Sequence, residues 1–169
     1  PSTSSAASDV YKRQHHWFAG DGMLHAFHIE NGRVGYKNRW ARTKKFELER
    51  AAGRALFSAF NPMDADPSVV GMETDGLANT NIVWHGGRLL ALEEGHAPFE
   101  FDPDSLASKG AWDFGGRLEG PMTAHPKIDP ETGEMLFFGY STSGPMSKGM
   151  SFHVVSAEGE LTESQVFDA

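Results

Sequence analysis

Short alternating apolar runs, separated by tight-turn signals, constrain this chain more than any other feature of its sequence. "LHAFHIENGRVGYKNRW" places Asn31-Gly32 between two such runs, and both central residues of a type I′ turn need a positive φ. The arrangement recurs around Gly86-Gly87, from Asp129 to Gly133 and around Glu158-Gly159, and "FEFDPDSLASKGAWDF" adds a looser turn. Successive hairpins without long crossover helices predict an antiparallel all-β fold. The pattern leaves sandwich, barrel and propeller open.

One stretch departs from this pattern. "FELERAAGRALFSAF", Phe46 to Phe60, repeats its apolar residues at helical spacing, although Gly53 interrupts it. We expect a short surface helix in a loop insertion. "PSTSSAASDVYKRQ", residues 1–14, is rich in Ser and Ala and has no hydrophobic period. We interpret residues 1–14 as a disordered or extraneous tail and residues 15–169 as the domain.

Charge and cysteine content exclude several classes of function. Fifteen basic and 23 acidic residues give a net charge of −8, which disfavours nucleic acid as a partner. The absence of cysteine excludes disulfides, thiolate metal sites and cysteine nucleophiles. Apolar runs are too short to cross a bilayer. We expect a cytoplasmic protein, with peripheral membrane contact as the alternative.

Histidines are the main candidates for chemistry, and most of them favour a structural or surface role. His25 and His28 are three apart on a predicted strand, so they face opposite sides and cannot hold one ion. We expect His25, which shares a face with Met23 and Phe27, to be buried, and His28 to be solvated. His85 adjoins a Gly-Gly turn and is expected to be exposed. The same structural or surface interpretation is favoured for His96 and His153.

His125 has a different context. Pro126 restricts the backbone before it to extended geometry, which gives the imidazole a fixed direction. A single histidine is nevertheless no metal site. Glu93 and Glu94 end the predicted strand "RLLALEEG". A carboxylate at a strand end is usually solvated, and the functional alternative is that it orients a ligand histidine by accepting its N–H. Because strand neighbours face opposite sides, only one of the two can point inward.

Several segments taken together resemble the carotenoid cleavage oxygenases, a family that includes lignostilbene and apocarotenoid dioxygenases. They are "HWFAGDGMLHAFHI", "YKNRWART", "NTNIVWHGGRLLALEEG" and "WDFGGRLEGPMTAHPKIDPETGEMLFFGYS". The resemblance runs in order from about His16 to Ser141. It implies an all-β fold that is part of a seven-bladed β-propeller, of which this chain would hold about two blades.

The resemblance also implies a metal site and an activity. The family binds a non-haem Fe(II) through four histidines, and its "TAHPK" segment falls on residues 123–127, so His125 carries over as one ligand. The glutamate of its "ALxE" segment falls on Glu94, which would orient a ligand histidine. The implied reaction is O2-dependent cleavage of a conjugated C=C bond of an apolar carotenoid, apocarotenoid or stilbene to two carbonyl products. No catalytic residue beyond the metal site and no substrate-binding residue is implied.

Family members are far longer than 169 residues, and their second iron histidine is expected in a His-Asp-Phe segment after the point where this sequence ends. We therefore interpret the chain as a fragment and expect it to be inactive alone. The alternative is a non-enzymatic propeller or sandwich module that binds a partner through its loops. That alternative does not predict the "TAHPK" and "ALEE" segments in order.

Overall fold

The computed structural model describes residues 17–58, 65–144 and 147–168. Within these ranges the chain forms a short 3-10 helix (Trp17–Ala19), one α-helix and ten strands. Helix α1 spans Lys44–Ala52. The strands are β1 (Met23–Glu30), β2 (Arg33–Trp40), β3 (Asn81–His85), β4 (Arg88–Leu92), β5 (Phe99–Phe101), β6 (Ser108–Ala111), β7 (Lys127–Ile128), β8 (Met135–Tyr140), β9 (Gly149–Val155) and β10 (Leu161–Asp168).

The predicted hairpin turns are all present. Asn31 and Gly32 have φ values of 49° and 73° and join β1 to β2, with Glu30 opposite Arg33. Gly86 and Gly87 join β3 to β4 in the same way, with φ values of 54° and 73°. Every strand pair in the described residues is antiparallel. The all-β prediction is therefore confirmed.

Helix α1 is shorter than the sequence pattern suggests. The Thr43 hydroxyl accepts a hydrogen bond from the Phe46 N–H at 3.2 Å and begins the helix. Gly53 ends it in the left-handed conformation, where its N–H bonds to the Arg50 carbonyl. The prediction of a helix from Phe46 to Phe60 was therefore wrong in length, because glycine at position 53 acts as a C-terminal cap. Phe60 itself lies outside the described residues.

The strands form three sheets that stack face to face. β1 and β2 form a two-stranded sheet, β3-β4-β5-β6 a four-stranded meander, and β7-β8-β9-β10 a second meander. Strand β4 is buried on both faces, with Leu90, Ala91 and Leu92 each only 1% exposed. Leu90 and Leu92 pack against the second meander, whereas Ala91 packs against the β1–β2 sheet. A central sheet covered on both faces is the arrangement of neighbouring propeller blades and excludes a two-sheet sandwich.

The outer face of the β1–β2 sheet is uncovered among the described residues. Phe27, Ile29 and Val34 are exposed there, although the sequence alternation predicted a buried face. His25 is exposed on the same face, and its Nδ1 lies 2.6 Å from the Tyr36 hydroxyl. The prediction of a buried His25 was therefore wrong, because Leu24 and Ala26 on the opposite face contact the core.

No helix in the part of the chain that the structure describes is long and apolar enough to cross a membrane. The predicted tail, residues 1–14, lies outside the described residues.

Candidate functional site

The segment that carries His125 is fixed through its backbone against both four-stranded sheets. Thr123 N–H donates to the Phe138 carbonyl of β8 at 2.8 Å. The Asn81 side chain, from β3 in the other sheet, donates to the Ala124 carbonyl at 2.8 Å. Thr123 and Ala124 are buried, so these bonds are shielded from water. The two residues before His125 are consequently held by two separate sheets.

Close approach of this segment to β8 depends on a glycine. A Cβ added at Gly139 would clash with the Pro121 carbonyl and would lie 2.8 Å from the Ser151 hydroxyl. Any larger residue at 139 would therefore push residues 121–124 away from β8. The glycine sets the position of the histidine-bearing segment relative to the sheet.

The His125 side chain points away from the core. The side chain is 66% exposed. The backbone N–H of His125 donates to the Thr123 hydroxyl at 3.3 Å. A fixed backbone with an accessible imidazole leaves a ring nitrogen available to a partner outside the described residues.

Glu94 is the carboxylate beside this imidazole. Its Oε1 lies 3.4 Å from His125 Nε2 and accepts the Ala124 N–H at 3.2 Å. Its Oε2 accepts the Thr123 hydroxyl at 3.3 Å. The side chain is 35% exposed. Glu94 therefore anchors the segment of residues 123–125 in addition to facing the ring, a structural role that the sequence did not indicate.

Glu93 contacts a different segment from Glu94. It forms an ion pair and hydrogen bond with His96, whose other ring nitrogen lies 3.3 Å from the Thr74 hydroxyl. The hydrogen bond and charge of Glu93 raise the pKa of His96. Burial alone would raise the pKa of Glu93, but the hydrogen bonds of Glu93 with the His96 ring and the Gly95 N–H outweigh burial and lower that pKa. The pair is a charged, half-buried group that sequence spacing did not reveal.

A cavity of about 640 Å³ opens beside His96. Apolar side chains dominate its lining, with Phe57, Val69, Met72 and Leu77 among them. This volume lies within the range of sites for small organic molecules.

The remaining described histidines have structural surroundings. His85 is buried, and its Nε2 lies 2.9 Å from the Gly133 carbonyl. The prediction of an exposed His85 was wrong because the turn of the neighbouring sheet covers it. His153 is fully buried and stacks on Phe137 with ring centroids 4.6 Å apart. Burial lowers the pKa of His153 and keeps its imidazole neutral.

Tyr140 is a further residue of this site that the sequence did not indicate. It is the last residue of β8, and burial together with the negative charge of nearby Glu94 raises the pKa of its hydroxyl. Glu94 and Tyr140 lie 46 positions apart in the sequence, so no local pattern marks this influence.

A metal ion would find one suitable donor here. No group of three or more His, Asp or Glu side chains that could hold an ion exists among the described residues. His125 fits one ligand position, because its imidazole is exposed, fixed at the backbone and close to a carboxylate. Any further ligands must come from outside the described ranges.

Comparisons with known proteins identify the family. A family model described as RPE65, retinal pigment epithelial membrane protein, matches residues 5–169. The chain belongs to this family, the carotenoid oxygenases. Among curated relatives of these oxygenases, isoeugenol monooxygenase from Pseudomonas putida is 41% identical over 155 residues, which cover 90% of this chain and 32% of the relative. The chain thus spans about a third of the length of the carotenoid oxygenases it matches.

Solved structures of carotenoid oxygenases also match the chain. Lignostilbene dioxygenase from Pseudomonas brassicacearum aligns with a TM-score of 0.84 and 34% identity over 92% of this chain and 32% of its own. The cobalt-substituted apocarotenoid oxygenase of Synechocystis aligns with a TM-score of 0.71 and 30% identity over 91% of this chain and 35% of its own. These neighbours are β-propellers. The family resemblance and the partial propeller fold are both confirmed.

Proposed function

We propose that the full-length protein containing this chain is a non-haem Fe(II) dioxygenase that cleaves a conjugated C=C bond of a carotenoid, apocarotenoid or stilbene. The observation that carries this proposal is the exposed His125 imidazole, 3.4 Å from Glu94, in a chain that belongs to the carotenoid oxygenases. The chain by itself provides one ligand, and we infer that it is inactive alone. Residues 15–169 are in this view the propeller portion.

His125 supplies one neutral nitrogen donor to the iron. Imidazole suits Fe(II), and the bound metal would supply the activation of O2. The chain's own part is to hold the imidazole in one direction. Hydrogen bonds from Thr123 to β8 and from Asn81 to Ala124 fix the backbone beside the ring. A cobalt-substituted relative among the matching structures supports a metal centre in this family.

Glu94 orients the His125 side chain and anchors the segment that carries it. Its Oε1 faces His125 Nε2, which favours one orientation of the ring. Because the same carboxylate accepts the Ala124 N–H and the Thr123 hydroxyl, it also fixes the segment that carries the ring. Ring and backbone are thus positioned by one group.

The partners that this function implies are O2 and a small apolar molecule with a conjugated double bond. The matched relatives are named as isoeugenol, lignostilbene and apocarotenoid oxygenases. The substrates in these names share a double bond next to an extended π-system. We propose a cytoplasmic protein, in which contact with membranes during uptake of a lipid-borne substrate is peripheral. Phe57, Phe60 and Met63 are the candidate apolar residues for that contact. Phe57 is half-buried, and the other two lie outside the described residues.

Product analysis under labelled oxygen tests the reaction. The iron-loaded full-length protein would be incubated with isoeugenol, a lignostilbene or an apocarotenoid under ¹⁸O2, and the products reduced at once to alcohols to stop exchange with water. A dioxygenase breaks the C=C bond and leaves one labelled oxygen in each product. Label in one product alone would support the second candidate, a monooxygenase, to which the name of the isoeugenol relative points. Absence of cleavage of all three substrates contradicts both.

A further inference from the structure

The cavity beside His96 adjoins the segment that orients His125. Gly95 and His96 both line the cavity, whereas Glu94, the residue before them, faces the His125 ring at 3.4 Å. The carbonyl of His96 accepts the N–H of Met122, three residues before His125, at 3.1 Å. One short segment therefore forms part of the cavity wall and also contacts the proposed metal ligand.

His96 places a hydrogen-bonding ring at a wall that is mainly apolar. Its Nδ1 pairs with Glu93, and its Nε2 lies 3.3 Å from the hydroxyl of Thr74, which also lines the cavity. The contact with Thr74 is long for a hydrogen bond, and the His96 side chain is 40% exposed. The ring is therefore accessible to a ligand, and Nε2 is the nitrogen that Glu93 does not occupy.

Glu93 and the loop that precedes β3 hold this ring in one orientation. Glu93 pairs with the ring and also accepts the Gly95 N–H at 2.9 Å. A Cβ added at Gly76 would lie 2.7 Å from Glu93 Oε1 and 3.0 Å from His96 Cβ, so the loop packs directly on the pair. A ring positioned in advance by its surroundings binds a ligand without the cost of ordering it.

A neutral hydroxyl group matches this site better than a carboxylate does. Charged His96 donates from Nε2 to a hydroxyl oxygen, and neutral His96 with its proton on Nδ1 accepts from the same hydroxyl. Lys45 also lines the cavity, but it already donates to Asp21 and Glu49 at 3.0 and 2.7 Å. Glu73 in the lining adds a further negative charge. This excess of carboxylates disfavours an anionic ligand.

We propose that the cavity binds one end of the substrate and that His96 determines specificity by hydrogen-bonding a hydroxyl group on that end. The substrate class is thereby narrowed to apolar molecules that carry a hydroxyl group as well as a conjugated C=C bond, such as hydroxystilbenes, in preference to unsubstituted hydrocarbons. This inference rests on the proposed function, because it takes the ligand of the cavity to be the molecule that is cleaved at the iron site.

Equilibrium binding to the full-length protein under argon tests this contact without turnover. The probes are 4-hydroxystilbene and unsubstituted stilbene, which differ only in the hydroxyl group, and quenching of tryptophan fluorescence reports their binding. We expect the wild type to bind 4-hydroxystilbene about tenfold more tightly, the lower end for a hydrogen bond to a charged group, because His96 is partly exposed to water. His96→Leu should abolish this preference.

Two matched variants separate the hydrogen bond from a loss of packing. Phe57→Leu changes an apolar residue of the same cavity, and we expect it to weaken the binding of both probes equally and to preserve the preference. His96→Gln keeps a side-chain donor and acceptor and should retain part of the preference. Thermal unfolding of every variant shows which of them are folded and can be compared.

The outcomes distinguish this inference from the proposed function. A wild-type protein that binds neither probe or binds both equally, or a folded His96→Leu variant that keeps the wild-type preference, overturns the inference. Cleavage of both probes by the iron-loaded wild type with equal kcat/KM also overturns it and leaves the proposed function intact. Selective binding of 4-hydroxystilbene without cleavage of any candidate substrate contradicts the proposed function and supports the hydroxyl site.

Discussion

Replacing Glu94 by alanine tests how firmly this carboxylate holds the histidine-bearing segment. The substitution removes the acceptor of two buried donors, the Thr123 hydroxyl and the Ala124 N–H. A buried donor left without a partner costs about 1–3 kcal/mol. At 3.3 and 3.2 Å both bonds are long, which places each near the lower end of that range. We therefore expect Glu94→Ala to lower the free energy of unfolding by about 2–3 kcal/mol.

Urea denaturation followed by tryptophan fluorescence measures this loss. Glu94→Gln is the matched variant, because the amide oxygen can still accept one of the two bonds, and we expect a loss of about 1 kcal/mol. His125→Ala should change stability by no more than about 0.5 kcal/mol, since its side chain is 66% exposed. A Glu94→Ala variant as stable as His125→Ala would refute the anchoring role of Glu94.

Three further predictions concern packing and pH. Gly139→Ala should cost at least about 2 kcal/mol in urea denaturation, because the new Cβ clashes with the Pro121 carbonyl; a near-neutral effect would contradict the close approach. Burial lowers the pKa of His153, so at acidic pH the unfolded chain binds a proton that the folded chain does not. Stability should therefore fall as pH drops below about 6.5, and His153→Phe should abolish that fall. Glu93 raises the pKa of His96, so the stabilisation from this ion pair is complete below about pH 6.5 and is lost at higher pH. His96→Gln should therefore destabilise the protein more at pH 5.5 than at pH 8.5. Equal losses of stability at the two pH values would contradict the ion pair.

Local turn chemistry made the strand pairing predictable. Asn31-Gly32 and Gly86-Gly87 adopt the positive φ values that their residue types permit, and the registers of both hairpins follow from the turns. Gly53 ended the helix for the same reason. These features depend on residues close together in the sequence, and the sequence therefore carried the information.

Burial was less predictable because it depends on which sheet covers which face. His25 shares a face with apolar residues, yet the described residues leave that face open. His85 adjoins a turn, yet the Gly133 turn of another sheet covers it. The hydrogen bond between Glu94 and Ala124 likewise joins segments 30 positions apart. Periodicity within one strand cannot report such contacts.

The iron content of the full-length protein tests the central claim, that this chain contributes one imidazole to a non-haem iron centre, most directly. Wild type and His125→Ala would be purified in parallel, checked for equal thermal unfolding, and analysed for iron per protein chain. The account predicts about one iron per chain in the wild type and nearly none in His125→Ala, without loss of folding. A folded His125→Ala variant that retains the wild-type amount of iron would contradict it.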